Sequence, residues 1–332
     1  MKIHLNKIVI LFLLIVSGVS FAQKDHVGTS VANFMKIGVG GKAVAMGDAF
    51  CAISDDPTAL YWNPGGIGFQ KNTSINFSNT QWIFDTGLNF LGVILPFEDL
   101  GTFGISVNMF SSGDIEETTI AKPHGTGRVF DVSNISIGLS YSKQLTDRFS
   151  AGITMKYIRE SLALETSTGL AVDVGSIFII SHDYNFRMGV VVSNLGTDMK
   201  LDGLDLTTNV TTDKNKLVEA ELRTYSWPLP LTFRIGLAAD LISTPMHRIT
   251  LATEVNDARD FQPRESVGVE YGFNSMLFLR GGYKFNYDEE SYSAGVGLNY
   301  FIEGVGGVIV DYAFVNMNNL GNINRFSVGL SF

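Results

Sequence analysis

The chain has 332 residues and a formal net charge of −9 at neutral pH, and this acidic balance argues against nucleic acid as a partner, because phosphate binding needs a basic face. Its single cysteine, Cys51, allows no internal disulfide, and no two histidines have metal-ligand spacing, so neither a disulfide framework nor a bound metal or other cofactor is expected. With 35 Gly, 24 Phe and only 8 Pro, the composition suits many strands packed around a curved wall.

In chain order, Lys2 and Lys7 flank the start of an apolar run over residues 8–16, and Ser20-Phe21-Ala22 places small residues at the cleavage positions before Gln23. Residues 1–22 therefore read as an export signal, and their loss takes the net charge from −9 to −11. The apolar run is too short to span a bilayer comfortably, and no long apolar stretch follows it, which excludes a helical membrane bundle.

Residues 34–69 do not alternate as a strand would. They hold Gly38-Val39-Gly40-Gly41-Lys42-Ala43-Val44-Ala45-Met46-Gly47-Asp48-Ala49-Phe50, then Asp55-Asp56-Pro57-Thr58-Ala59-Leu60-Tyr61-Trp62-Asn63-Pro64-Gly65-Gly66. The second string predicts a short helix with Asp56 as N-cap and Pro57 at the first helical position, ended by Asn63-Pro64-Gly65. The first is no phosphate loop, since Ala43 stands where Ser or Thr should follow the lysine and Lys36 where the leading Gly should be. Asp55 and Asp56 resemble a catalytic carboxylate pair, but capping accounts for Asp56, and adjacent residues at a helix start rarely aim at one point.

From residue 73 onward about fourteen strand-like runs follow, near residues 73–82, 88–97, 101–110, 129–144, 148–164, 169–181, 185–195, 230–241, 247–256, 266–273, 277–286, 291–301, 307–314 and 325–332. The connections after even-numbered runs are tight, and the long ones follow odd-numbered runs, as in a barrel with short periplasmic turns and long external loops. The fold expected is all-β, a closed antiparallel transmembrane barrel. Its last strand runs to Phe332, with Phe326, Val328, Leu330 and Phe332 on one face and Arg325, Ser327, Gly329 and Ser331 on the other.

The apolar faces should touch lipid. The opposite faces carry Lys156, Glu160, Asp173, Arg187, Arg234, Asp240, Glu254, Glu270, Arg280, Lys284, Asp311 and Arg325. In lipid a Lys or Arg near the midplane would cost about 2 to 4 kcal/mol, so all twelve are expected to face the lumen. The second run is apolar on both faces, with Leu91, Val93 and Leu95 opposite Leu88, Phe90 and Ile94, and its inward face needs an apolar partner that the preceding segment can supply. The third run shows no break, whereas Gly281-Gly282 in the eleventh is the expected irregularity. His182-Asp183 falls in a predicted tight turn without a nucleophile near it, Cys51 reads as a small packed residue, and residues 196–229 form a long charged loop.

The Ala45-Met46-Gly47-Asp48-Ala49 run, the Asp55-to-Gly66 string and the barrel behind them resemble the PorV/PorQ family of outer-membrane proteins. That family is similar in architecture to the FadL-type fatty-acid transporters, whose fourteen-stranded barrels hold an N-terminal hatch with an Asn-Pro-Ala motif; Asn63 and Pro64 match it and Gly65 replaces the Ala. The resemblance implies a hatch over residues 23–71 in the lumen of a barrel over residues 72–332. It implies hatch residues Gly47, Asp48, Asp55, Asp56, Pro57, Leu60, Tyr61, Trp62, Asn63 and Pro64. It further implies a non-enzymatic accessory in the outer membrane that binds secretion-system proteins or exported cargo of the type IX system of Bacteroidota. The alternative is a FadL-like channel for hydrophobic small molecules such as long-chain fatty acids.

Overall fold

The computed structural model describes residues 27–211, 216–304 and 306–332; the expected export signal lies outside them. Successive side chains of a strand point to opposite faces. Because one set here is apolar and the other small or polar, a sheet of such strands has one face for lipid and one for the interior.

Fourteen strands build it: β1 (Ser74–Gln81), β2 (Gly87–Phe97), β3 (Gly101–Glu116), β4 (Val129–Gln144), β5 (Phe149–Leu162), β6 (Glu165–Ser181), β7 (Phe186–Gly196), β8 (Thr232–Ser243), β9 (His247–Ala258), β10 (Arg264–Phe273), β11 (Leu277–Phe285), β12 (Tyr292–Ile302), β13 (Gly306–Asn316) and β14 (Asn322–Ser331). Each pairs antiparallel with its sequence neighbours, and β14 pairs back onto β1 with Ser331 opposite Ser74 and Arg325 opposite Thr80. Closure removes the edge. An open edge at lipid depth would leave a row of backbone groups without partners, at several kcal/mol each. The last residue joins in, as the Phe332 amide donates to the Thr73 carbonyl at 2.9 Å.

The faces fall as the alternation predicts. In β12 Tyr292, Ala294, Val296, Leu298 and Tyr300 are exposed on the outside while Ser293 and Gly297 are buried within. At the end carrying the short turns, Phe97 packs on Phe103 and Phe103 on Tyr141, centroids 5.7 and 5.2 Å apart, the kind of aromatic girdle that sits at a membrane interface. Short turns at 98–100, 145–148, 182–185 and 274–276 gather at this end, and the longer connections at 117–128, 197–231, 259–263 and 286–291 at the other.

Several local expectations are corrected. Pairing on both sides of β11 runs through Gly281 and Gly282 without a shift; register breaks instead at Ser111/Asp114 between β3 and β4, at Val172/Val174 and Ile179/Ser181 between β6 and β7, and at Asp240/Ile242 between β8 and β9. Gly282 is small for another reason, given below. β3 continues past Phe110 to Glu116 and β6 begins at Glu165, so β5 and β6 are joined by two residues only. The 197–231 loop is not bare. Within it Met199–Lys200 pairs with Ser226–Trp227, Asp202–Gly203 pairs onto β6, and Thr207–Thr211 forms a hairpin with Leu217–Glu221.

Candidate functional site: the lumen segment and the wall it meets

The described chain enters the barrel from the long-loop end. There the Ser30 hydroxyl donates to the Asp260 carboxylate at 2.5 Å, Lys36 pairs with the same carboxylate at 2.8 Å, and the Val31 amide donates to the Pro228 carbonyl. It leaves into β1 at the short-turn end. Between these points lie a 3-10 turn (Asn33–Lys36), helix α1 (Gly41–Ala45), helix α2 (Ala59–Trp62) and a 3-10 helix (Pro64–Phe69). Met46, Phe50, Leu60, Trp62 and Ile67 are each at most 1% exposed, so this segment supplies the core of the barrel interior.

The helix around Leu60 begins two residues later than the capping pattern predicts. Thr58 holds the cap position with no side-chain cap bond, and Pro57 lies in the preceding turn. Asp56 closes that turn, accepting from the Thr58 amide at 2.7 Å and from its hydroxyl. Asn63 does not simply end the helix. Its backbone is extended, its Oδ1 accepts from the Gly65 amide at 3.0 Å to start the 3-10 helix, and its Nδ2 donates to the carbonyls of Cys51 at 2.9 Å and Ser176 at 3.0 Å. One amide side chain thus ties the helix pair, the upstream strap and the wall, which is a physical reason for Asn ahead of Pro64. A Cβ at Gly65 would lie 2.7 Å from the Ser176 Cα, so at this spacing only Gly fits where the related motif has Ala.

On one side the seam with the wall is built around an apolar cluster, beside the Asn63–Ser176 hydrogen bond. The 3-10 helix lies against β3, β4, β5 and β6, and α2 against β3. Leu60 and Ile67 pack over Gly104, in a cluster with Leu88, Phe90, Ile94 and Ile158. The inward apolar face of β2 is thereby covered. Burial of this kind is worth roughly 25 cal/mol for each Å² removed from water.

On the other side the seam is polar. Helix α1 lies against β11 to β14. The Gly41 amide donates to the Ser327 hydroxyl at 2.7 Å, the Gly47 amide to that of Ser293 at 3.1 Å, and the amides of Phe50 and Cys51 to the Glu254 carboxylate at 3.0 and 2.8 Å. Lys284 pairs with Asp48 at 2.5 Å and with Glu290. Arg234 sits 3.7 Å from Glu254, with its guanidinium 5.4 Å above the Tyr61 ring and 5.1 Å above Trp62. Tyr61 donates its hydroxyl to the Met35 carbonyl, and Trp62 its indole N–H to that of Val39.

Nine of the twelve strand charges, Asp173, Arg234, Asp240, Glu254, Glu270, Arg280, Lys284, Asp311 and Arg325, are buried, and Lys156, Glu160 and Arg187 are half-buried. Arg280 spans from Glu270 at 2.7 Å to Asp311 at 2.6 Å, crossing β12 above Gly297, and Arg248 adds a second bond to Glu270 at 2.7 Å. Lys156 pairs with Asp173 at 2.5 Å beside the β6–β7 bulge. Asp240 accepts from Thr250 and Asn185, and Arg325 donates to the Thr80 hydroxyl. Glu160 and Arg187 are half-buried on inward positions.

One feature was missed in the sequence, where the glycines read only as close strand packing. Strand glycines on the inner face form a belt on which the backbone of residues 45–52 rests. A Cβ at Gly282 would lie 2.1 Å from the Gly47 nitrogen, at Gly268 2.3 Å from the Met46 oxygen, and at Gly189 2.3 Å from the Cys51 oxygen. Gly47 itself has φ +66°, and a Cβ there would also press on β11. The available signal was that these glycines occupy inward positions on β7, β10 and β11.

Two cavities with charged residues in their walls flank the segment and share no lining residue, and a third of about 180 Å³ lies beside Ile53, Phe69, Ile177 and Ile179. The one toward the short-turn end holds about 250 Å³ and is lined by Lys42, Asp55, Asp56, Arg248, Arg280 and Asp311 among others; the one toward the long loops holds about 50 Å³ beside Lys36, Asp48, Trp62, Arg234, Arg264 and Glu290. Asp55 and Asp56 do not converge. Burial works to raise the Asp55 carboxyl, but Lys42 at 2.7 Å outweighs it and holds it at about 2, whereas burial with Asp55 alongside lifts Asp56 to about 6. Burial also raises the Cys51 thiol, with Glu254 adding to it, which keeps it protonated. Among the described residues no group of three His, Cys, Asp or Glu is placed to hold a metal.

Solved structures share the barrel architecture. The fold matches the CymD monoaromatic hydrocarbon channel with a TM-score of 0.59 at 12% identity over 89% of this chain and 98% of that one. It matches the Pseudomonas putida toluene transporter TodX at 0.58 and 11% over 89% and 99%, and a Pseudomonas aeruginosa FadL homologue at 0.51 and 11% over 92% and 98%. At such identity these likenesses establish the barrel architecture alone. No curated protein matches the chain. The family model described as "Type IX secretion system protein PorV" matches residues 20–264, most of the chain, and the protein belongs to that family of outer-membrane barrels.

Proposed function

We propose that the protein is a non-enzymatic accessory that binds protein partners of the type IX secretion system, or their exported cargo, at the outer membrane of a Gram-negative bacterium of the Bacteroidota. In this reading residues 1–22 are removed near Ala22 after export. Residues 23–71 act as a hatch whose interior part fills the lumen, and the wall charges hold it there.

The observation that carries the reading is the filled interior. Trp62 and Phe50 are buried in it, with an apolar cluster on one side and a hydrogen-bonded, ion-paired seam on the other; two of the cavities beside it carry charged side chains in their walls, and the one beside Ile53, Phe69, Ile177 and Ile179 holds only about 180 Å³. A conduit for hydrophobic molecules needs a pocket that is mostly apolar. With the interior occupied in this way, the outer surfaces and loops are the parts left for a protein partner to bind.

Affinity purification from native membranes, followed by identification of copurifying proteins, tests it. The expected result is recovery of secretion-system components or exported cargo. Recovery of the barrel alone, with long-chain fatty acid bound and lost on Leu60→Ala or Asn63→Ala, would overturn it in favour of uptake.

A further inference from the structure

The hairpin of Thr207–Thr211 and Leu217–Glu221 projects from the long-loop end, and nine of its ten strand residues are exposed. Among the described residues neither strand pairs with anything but the other, so each presents an outer edge with free amides and carbonyls. An isolated two-stranded hairpin is marginal in water, and open edges are normally covered, bulged or charged with lysine. Here one face shows Val210 opposite Val218, about half exposed, next to Thr208 opposite Ala220. On the other face Glu219 stands opposite Asn209 and Glu221 opposite Thr207, so neither carboxylate has a cation across the ladder.

We propose that the Leu217–Glu221 edge is a docking site for an extended strand of a protein partner that carries basic side chains. The proposal rests on the partner-binding reading above. An added strand would satisfy the edge through main-chain hydrogen bonds. Its Lys or Arg residues at alternate positions would then stand opposite Glu219 and Glu221, where opposite charges on one face attract.

The probe is a fluorescent decapeptide alternating Thr and Lys, titrated onto the full-length protein in detergent micelles. Its control is the same peptide N-methylated at alternate residues, which keeps the charge but cannot extend a ladder. The parent should bind at least tenfold more tightly than the control. Glu219→Gln with Glu221→Gln should weaken the parent by about tenfold. Replacing residues 207–221 by a Gly-Ser linker should abolish binding while the barrel stays heat-modifiable. Equal binding of the two peptides, or binding that survives the linker, would overturn the proposal. The two readings fail separately. Native partners that still copurify with the linker variant leave the accessory function standing and remove only the hairpin, whereas no partner on the intact protein removes the accessory function itself.

Discussion

The two seams around the lumen segment hold it by different physics. Toward β2–β6 Leu60 and Ile67 fill space over Gly104 in an apolar cluster with Ile94 and Ile158, the backbone at Pro64 lies close over Gly152, and Asn63 donates to the Ser176 carbonyl; these contacts are apolar or neutral. Toward β8–β14 the backbone of residues 40–52 lies directly on the wall, on glycines, and its amides and Asp48 are held by Glu254, Ser293, Ser327 and Lys284. An apolar contact gives affinity without direction, whereas hydrogen bonds to fixed wall groups give register. The difference teaches that the first seam contributes most of the apolar burial and the second most of the charged and directional contacts.

If backbone contact dominates the polar seam, enlarging a belt glycine there should have the largest effect. Gly282→Leu must displace backbone 2.1 Å from its first new atom, so residues 45–52 cannot stay seated. In a variant whose only tryptophan is Trp62, iodide should then quench the indole as freely as in an unfolded control. Gly104→Ala should be far milder, because its new methyl meets the end of the flexible Leu60 side chain. The reverse order would break the distinction between the seams.

Single side-chain losses should come next. Lys284→Met leaves Asp48 and Glu290 without their shared cation, and breaking a buried pair from one side costs about 3–5 kcal/mol. Leu60→Ala opens a cavity on the apolar seam at about 2–5 kcal/mol. Replacing Asp48 by Asn and Glu290 by Gln in the Lys284→Met protein should recover much of the first loss in chemical denaturation and none of the second. If the Lys284→Met loss is not recovered, Lys284 matters through packing alone.

The sequence revealed the strands and their faces because the period of two is written in residue type, from Tyr292 to Tyr300 as from Phe326 to Phe332. It revealed Asn63 and Pro64 as a motif, but not what Asn63 holds, since Cys51 is 12 residues away and Ser176 is 113. The charges were visible as an inward set. Their pairing was not, because Lys284 reaches Asp48 across 236 residues and Arg280 reaches Asp311 over an intervening strand. Gly282 misled for the same reason: a glycine that makes room for a distant backbone looks in sequence like one that breaks a strand. The hairpin at 207–221 is short and marginal by itself, so its pattern barely rises above a polar loop.

A smaller effect concerns pH at the junction of the seams. The Asp56 carboxyl, lifted by burial and by Asp55 to about 6, sits above its ordinary value near 3.8, so the folded segment binds a proton that the unfolded chain does not. Stability from this group is full below the ordinary value and is lost as pH rises through about 6. Amide exchange at residues 58–62 should therefore slow, after correction for intrinsic rates, between pH 7.5 and 5, and Asp56→Asn should flatten that dependence. A corrected slope of opposite sign, or one unchanged in the variant, would contradict the assignment.

The central claim is that residues 34–69 close the lumen, and single-channel conductance in planar bilayers tests it most directly. The account predicts that the intact protein conducts poorly. A variant in which a short Gly-Ser linker replaces residues 34–69, shown by heat-modifiability to be an inserted barrel, should open a channel of clearly raised conductance. A variant of that kind conducting no better than the intact protein would contradict it.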